Sequence, residues 1–195
     1  GEWKNSLFNG FGVCKYTTGN VYEGDWKDGL QEGKGRYVSK NFTYVGDWEG
    51  GWINGEGQIN YANGDWYEGD FYQNERFGVG CYHFNNGNYY EGEFVNDTIN
   101  GLGVFHFEDG SRYEGEFEDG KMFGDGPLYI NVNGEEIAIT AFWDGSHKLP
   151  TEANYKTLCA FRDELTKNLE NCLKTGDFAP INAWNRENIW KHGQV

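Results

Sequence analysis

Five short stretches place a tyrosine, acids and a large ring in one order: Tyr22-Glu23-Gly24-Asp25-Trp26, Tyr44-Val45-Gly46-Asp47-Trp48, Tyr67-Glu68-Gly69-Asp70-Phe71, Tyr90-Glu91-Gly92-Glu93-Phe94 and Tyr113-Glu114-Gly115-Glu116-Phe117. Two carboxylates two residues apart share one face of a strand, and such a pair could do general acid–base work. The spacing argues against it. The box tyrosines follow one another at steps of 22, 23, 23 and 23 residues, so Glu23, Glu68, Glu91 and Glu114 are copies of a single repeat position. Copies roughly 10 Å apart, two strand spacings per unit, cannot converge on one reacting atom. They read as acceptors for turn amides and as a solvated acidic face, and no catalytic residue is expected among them.

The other candidates for chemistry are weaker. His83 and His106 stand at equivalent positions of neighbouring units, on the face opposite the rings. About 10 Å apart, they cannot share a zinc ion that needs ~2.1 Å to each nitrogen, so they are expected to be a surface pair and no metal site is assigned. His147 and His192 have no candidate nucleophile beside them. A repeated Gly-x-Gly enters strands, not the start of a helix, and lacks the lysine of a phosphate loop; no cofactor is expected. Cys14, Cys81, Cys159 and Cys172 show no metal-ligand spacing and no disulfide density, which predicts free thiols in a reducing compartment.

Composition narrows the partners. The formal charge is −15: residues 1–147 carry 9 basic and 25 acidic side chains, whereas residues 148–195 carry 7 and 6. A surface of that sign repels nucleic-acid phosphates and anionic lipid headgroups, so nucleic acid is excluded and direct membrane binding is disfavoured. Aromatic residues reach 18% with 30 glycines and 3 prolines, a balance that fits a turn-rich β protein and neither disorder nor collagen. No apolar run approaches the ~18 residues of a membrane span, which points to a soluble, cytoplasmic protein.

What positions the boxes is a tandem repeat. A second marker keeps the same beat: Gly10/Gly12, Gly33/Gly35, Gly55/Gly57, Gly78/Gly80, Gly101/Gly103 and Gly124/Gly126. Two markers in phase over six units define a 23-residue repeat, the signature of an array. Within a unit the pattern alternates with period two, so each unit is a hairpin of two strands. The dipeptides Asn63-Gly64, Asn86-Gly87 and Asp109-Gly110 predict two-residue turns, with Asn41 standing for the glycine in the short unit. The paired glycines are expected to leave a trough on the aromatic face into which a neighbouring ring lies flat.

The order Tyr-Glu-Gly-Asp-Trp, turn, Gly-x-Gly, then Asn-Gly or Asp-Gly resembles the MORN repeat (membrane occupation and recognition nexus) over roughly residues 1–145. The resemblance implies a mainly β fold: an elongated, single-layer, twisted antiparallel sheet of tandem hairpins over residues 1–147. A C-terminal α-helix and short tail follow over 148–195. The last unit is degenerate, with Ile139-Thr140-Ala141-Phe142-Trp143 in place of a box, and Gly1-Glu2-Trp3 matches the middle of one, leaving room for further units upstream. The family resemblance also implies a non-enzymatic scaffold or adaptor for cytoskeletal, ciliary or membrane-proximal assemblies. The alternatives it implies are the regulatory region of a lipid kinase or methyltransferase, and phosphoinositide binding if Lys34 and Arg36 cluster.

A single sheet has no second layer to bury its rings. Tyr22, Trp26, Tyr44, Trp48, Tyr67, Phe71, Tyr90, Phe94, Tyr113 and Phe117 are therefore expected to line a groove for a protein partner, an amphipathic helix or extended peptide with basic flanks. The tail competes for that surface. Tyr155, Leu158, Phe161, Leu165, Leu169 and Cys172 recur at helical spacing over 151–174 with Gly176 as a stop, and Phe178, Ile181, Trp184, Ile189 and Trp190 follow. Docking of this helix in cis on the last repeats of a monomer is expected, the alternative being docking on a second copy as half of a homodimer interface.

Overall fold

The computed structural model describes residues 1–132 and 135–148, together with positions 167, 171 and 174, which are helical. Apart from those three positions, the helix expected over 151–174 and the segment after it lie outside the described residues. The described strands fall into two units, Gly1–Thr98 and Ile99–Val195.

In the first unit, β1 (Glu2–Lys4), β2 (Leu7–Lys15), β3 (Val21–Lys27), β4 (Leu30–Val38), β5 (Phe42–Glu49), β6 (Trp52–Tyr61), β7 (Trp66–Tyr72), β8 (Glu75–His83) and β9 (Tyr89–Val95) pair antiparallel in chain order. In the second, β10 (Thr98–His106), β11 (Arg112–Glu118), β12 (Lys121–Val132) and β13 (Glu135–Lys148) do the same. The strands are thus tandem antiparallel hairpins, mainly β as the repeat implied.

The turn chemistry corrects the sequence reading. The two-residue turns lie after each box, where both residues have positive φ: Asp28 and Gly29 at 49° and 87°, Gly50 and Gly51 at 57° and 89°, Gln73 and Asn74 at 50° and 73°. This conformation matches the twist of the flanking strands. At Asn63-Gly64, Asn86-Gly87 and Asp109-Gly110 only the glycine has positive φ. There the Gly64 N–H donates to the Tyr61 carbonyl at 3.1 Å and the Tyr61 N–H to the Asp65 carbonyl at 2.9 Å, which makes a three-residue connection. Asn41 does not have positive φ. Its shorter loop is closed by Ser39, whose Oγ accepts the N–H groups of Asn41 (3.2 Å) and Phe42 (3.1 Å).

The two glycines of each Gly-x-Gly also have different tasks, not one. In the first unit the second glycine lies in the ring trough. A Cβ on Gly35 or Gly57 would stand 2.6 or 2.5 Å from the Cε2 of Tyr22 or Tyr44. The first sits at a bulge with positive φ, 62° at Gly33, 107° at Gly55 and 71° at Gly78, and faces the acid just before the large ring of the box across the ladder. That acid caps the bulge. Asp25, Asp47 and Asp70 accept the N–H groups of Lys34 (3.3 Å), Glu56 (3.1 Å) and Val79 (3.0 Å). The role of amide acceptor therefore belongs to the aspartates, while Glu23, Glu68 and Glu91 are exposed.

Gly101 and Gly103 divide in the same way, since only Gly101 has positive φ, at 102°. Across β10 and β11, Gly101 stands opposite Phe117 and Gly103 opposite Gly115. The trough under Tyr113 in that unit is made by Gly115 and Gly126, whose Cβ positions would lie 2.6 and 2.7 Å from the Tyr113 Cζ. The box tyrosine thus lies over the glycine of its own strand and that of the strand that follows.

Candidate interaction surface

Packing of the box rings explains how one layer keeps a core. Tyr22, Tyr44, Tyr67, Tyr90 and Tyr113 are wholly buried, and Trp26, Trp48, Phe71, Phe94 and Phe117 are no more than 7% exposed. The box tyrosines lie down along their strands, over the glycine two residues on. The hydroxyl donates to the next carbonyl: Tyr22 to Asp25 at 2.9 Å, Tyr44 to Asp47 at 3.0 Å, Tyr67 to Asp70 at 2.9 Å. The ring then meets two others edge to face. Tyr22 stands 5.0 Å from Trp26 and 5.1 Å from Trp48, Tyr44 5.5 Å from Trp48 and 5.3 Å from Phe71, and Tyr67 5.1 Å from Phe71 and 5.0 Å from Phe94. Such contacts add about 0.5–1.5 kcal/mol each beyond burial. In the second unit Tyr113 bridges Phe117 at 5.3 Å and Trp143 at 5.4 Å, so Trp143 takes the ring position of the degenerate last box.

The rings therefore cover one another, and the expectation that all ten stand open is corrected. What remains accessible on this face comes from the Gly-x-Gly strands and their turns. In the first unit a cavity of about 600 Å³ is floored by Trp48 and Phe71 and walled by Tyr16, Tyr37, Phe42 and Tyr61. Tyr16 and Tyr37 are held at its edge by Gln31 Nε2 (2.9 Å) and Asn20 Nδ2 (2.6 Å), which donate to their hydroxyls. Sequence reasoning missed these walls because it attended to the boxes, although the alternation that puts Tyr37 on the glycine face was visible.

The opposite face of the first unit carries a shallow trough of about 850 Å³. Phe11, Val45 and Val79, exposed by 59, 49 and 62%, alternate there with Glu23, Glu56, Glu68 and Asp70. Lys34 and Arg36 reach the same trough, but Lys34 Nζ is 2.6 Å from Asp47 and Arg36 faces Glu23 across the ladder. In the second unit Glu114 is half-buried and accepts from Arg112 Nε at 2.6 Å, and Arg112 also pairs with Glu136.

His83 is not the open surface residue expected. Its ring is stacked between Trp66 (3.7 Å) and Tyr89 (5.2 Å), the residues facing it on β7 and β9. Burial pulls its basicity below the ordinary imidazole value. Cys81 Sγ lies 3.1 Å from His83 Nε2, and burial, helped by Glu91 and Glu68, pushes the thiol up to about 11, which keeps it protonated near neutral pH. His106 faces Arg112 in the second unit. Cys14 and Cys81 are free thiols, and Cys159 and Cys172 lie outside the described residues. Among the described residues no three His, Cys, Asp or Glu side chains converge as metal ligands, and no helix is long and apolar enough to cross a membrane.

No curated protein matches the chain. The family model described as the MORN repeat matches six times, over residues 1–21, 22–43, 44–66, 67–89, 90–112 and 113–126. Those units coincide with the hairpin period, the tyrosine–glycine trough and the ring ladder, and they occupy well over half of the sequence: the chain belongs to the MORN-repeat family.

Proposed function

We propose that this protein is a non-enzymatic scaffold that holds a segment of a partner protein, an amphipathic helix or extended peptide with basic flanks, against the aromatic face of residues 1–98. MORN repeats are generally protein- or membrane-interaction modules, and generally not catalytic. The observation that carries the reading is the cavity of about 600 Å³ on that face, floored by Trp48 and Phe71 and walled by half-buried rings. An apolar recess rimmed by polar groups is the usual form of a protein docking site. The acidic surplus of the array complements basic flanks, and a cytoplasmic setting in a cytoskeletal, ciliary or membrane-proximal assembly belongs to the same proposal.

The opposite trough, with Phe11, Val45 and Val79 exposed between acids, supports a second reading in which the partner lies there. Two substitutions separate them. Phe42→Asp places a charge in the wall of the aromatic cavity, and Val45→Asp places one in the trough. After mass spectrometry has identified a partner, Phe42→Asp is expected to weaken its binding by at least about tenfold, the scale of losing a packed anchor. Val45→Asp is expected to leave it within about twofold, with both variants melting as cooperatively as the parent. Loss with Val45→Asp and retention with Phe42→Asp would move the site to the trough.

A further inference from the structure

The aromatic face of the first unit carries two banks of rings. Tyr16, Tyr37 and Phe42 form one, with successive centres 6.3 and 5.7 Å apart, and Tyr61, Tyr82 and Phe84 form the other, at 6.0 and 4.7 Å. The cavity of about 600 Å³ is lined by the first bank and by Tyr61, over Trp48, Ile53, Ile59 and Phe71. Its walls are therefore rings and its floor is apolar.

The polar groups around this recess are short of acceptors. Asn74 Oδ1 is taken by the Ile53 N–H at 2.8 Å, and Asp97 Oδ1 by the Arg76 N–H and Nε, both at 2.9 Å. Among the lining side chains the acceptors still open, other than hydroxyls, are Gln31 Oε1 and the second Asp97 oxygen. Donors stand free. The Tyr37 hydroxyl accepts from Asn20 Nδ2 at 2.6 Å, and its own hydrogen has no acceptor among the described residues. The Tyr61 hydroxyl has no hydrogen-bond partner there, and it lies within electrostatic reach of Asp97, which lines the same recess. Asn74 Nδ2 is uncommitted as well.

We propose that this recess takes a proline-rich segment of the partner protein in the polyproline II conformation, its proline rings seated against Tyr37, Phe42 and Tyr61 and its carbonyls accepting from the Tyr37 and Tyr61 hydroxyls. The inference rests on the scaffold reading above and chooses the extended peptide over the helix. Hydrogen bonding decides between them. A helix has its backbone groups paired internally and would leave these donors unmet, whereas an ordinary extended strand brings N–H groups that need acceptors. Polyproline II presents unpaired carbonyls, proline adds no N–H, and its rings pack on aromatic side chains. Such a segment is stiff before it binds, so it loses little conformational entropy on docking. Charge sets its flanks: residues 1–98 carry 15 acidic and 7 basic side chains, a field that favours basic residues on either side of the prolines.

The test is a methyl NMR titration of the full chain, labelled at the isoleucine δ1 carbons, with the blocked peptide acetyl-Lys-Pro-Pro-Pro-Pro-Pro-Pro-Lys-amide. Ile53 and Ile59, assigned by their loss in Ile53→Val and Ile59→Val, should shift saturably while Ile99 and Ile130 stay in place. The same peptide with alanine at every proline keeps the charges and restores the N–H groups, and should give no saturable shift over the same concentrations. Tyr61→Phe keeps the ring and removes one donor, and should weaken binding of the proline peptide by about 3- to 10-fold at an unchanged melting temperature. An equal response to the alanine peptide, an unaltered affinity in Tyr61→Phe, or unmoved Ile53 and Ile59 at the solubility limit of the probe would overturn the inference. If Ile53 and Ile59 are silent while an identified partner still loses binding in Phe42→Asp, the proline assignment fails and the scaffold stands. If neither responds, both fail.

Discussion

Gly80→Val costs about 3 kcal/mol of folding stability, the upper end of ordinary overpacking, and lowers the melting temperature by about 10 °C. Gly80 has no special backbone conformation to protect, so the effect is purely one of space. A Cβ there would stand 2.5 Å from the Cζ of Tyr67. The ring cannot step aside cheaply. Its hydroxyl is bonded to the Asp70 carbonyl at 2.9 Å, and its edges meet Phe71 and Phe94 at 5.1 and 5.0 Å. Gly110 is the control: its Cβ would meet nothing within 4 Å, and its φ of 85° is one that asparagine tolerates. Gly110→Asn should therefore stay within about 1 kcal/mol of the parent. Equal melting of Gly80→Val and the parent, by circular dichroism, would contradict the trough.

Alkali is the second large lever. Burial raises the phenols of Tyr22, Tyr44, Tyr67 and Tyr90 well above the ordinary tyrosine value of 10.0, and pushes Tyr113 up to about 12. The unfolded chain releases those protons first as pH climbs past 10, while the folded chain still holds them. Stability contributed by the buried phenols is therefore complete below about pH 10 and falls above it, by about 1.4 kcal/mol per pH unit for each tyrosine. With five box tyrosines the slope reaches about 7 kcal/mol per pH unit, enough to unfold the array before any of them ionises in place. Phenolate absorbance and circular dichroism recorded together should change in one cooperative step. Gradual ionisation of the box tyrosines near pH 10 with the dichroism intact would show that the rings are not sealed.

How much of this was readable before the structure depends on which physical scale each feature obeys. Period-two alternation and the 23-residue beat report only which face a residue takes, and they placed Tyr22, Gly24, Trp26 and Gly35 together correctly. They could not say how high a ring stands. Whether Tyr67 projects into a groove or lies down over Gly69 and Gly80 is decided by the reach of its hydroxyl to the Asp70 carbonyl, a matter of three dimensions. The turns misled for a related reason. Asn63-Gly64 is a strong local signal for a two-residue turn, but Gln73-Asn74, with no glycine at all, is the pair that adopts it, because sheet twist outweighs residue preference there. Gly33 and Gly35 look interchangeable in the sequence and differ because a bulge between them turns one toward Asp25 and the other toward Tyr22. His83 reads as a surface residue because nothing nearby in the chain announces the rings that neighbouring strands bring over it.

A partner protein held on the aromatic face, with the box acids left to serve the fold, should cover one side of the sheet and leave the other in water. Hydroxyl-radical footprinting of side chains, with and without the identified partner, distinguishes those two faces residue by residue. Protection of Tyr16, Tyr37, Phe42 and Tyr61, with Phe11, Val45 and Val79 as reactive as in the isolated chain, is the expected result. Protection of Phe11, Val45 and Val79 with unchanged reactivity at Tyr37 and Phe42 would contradict it.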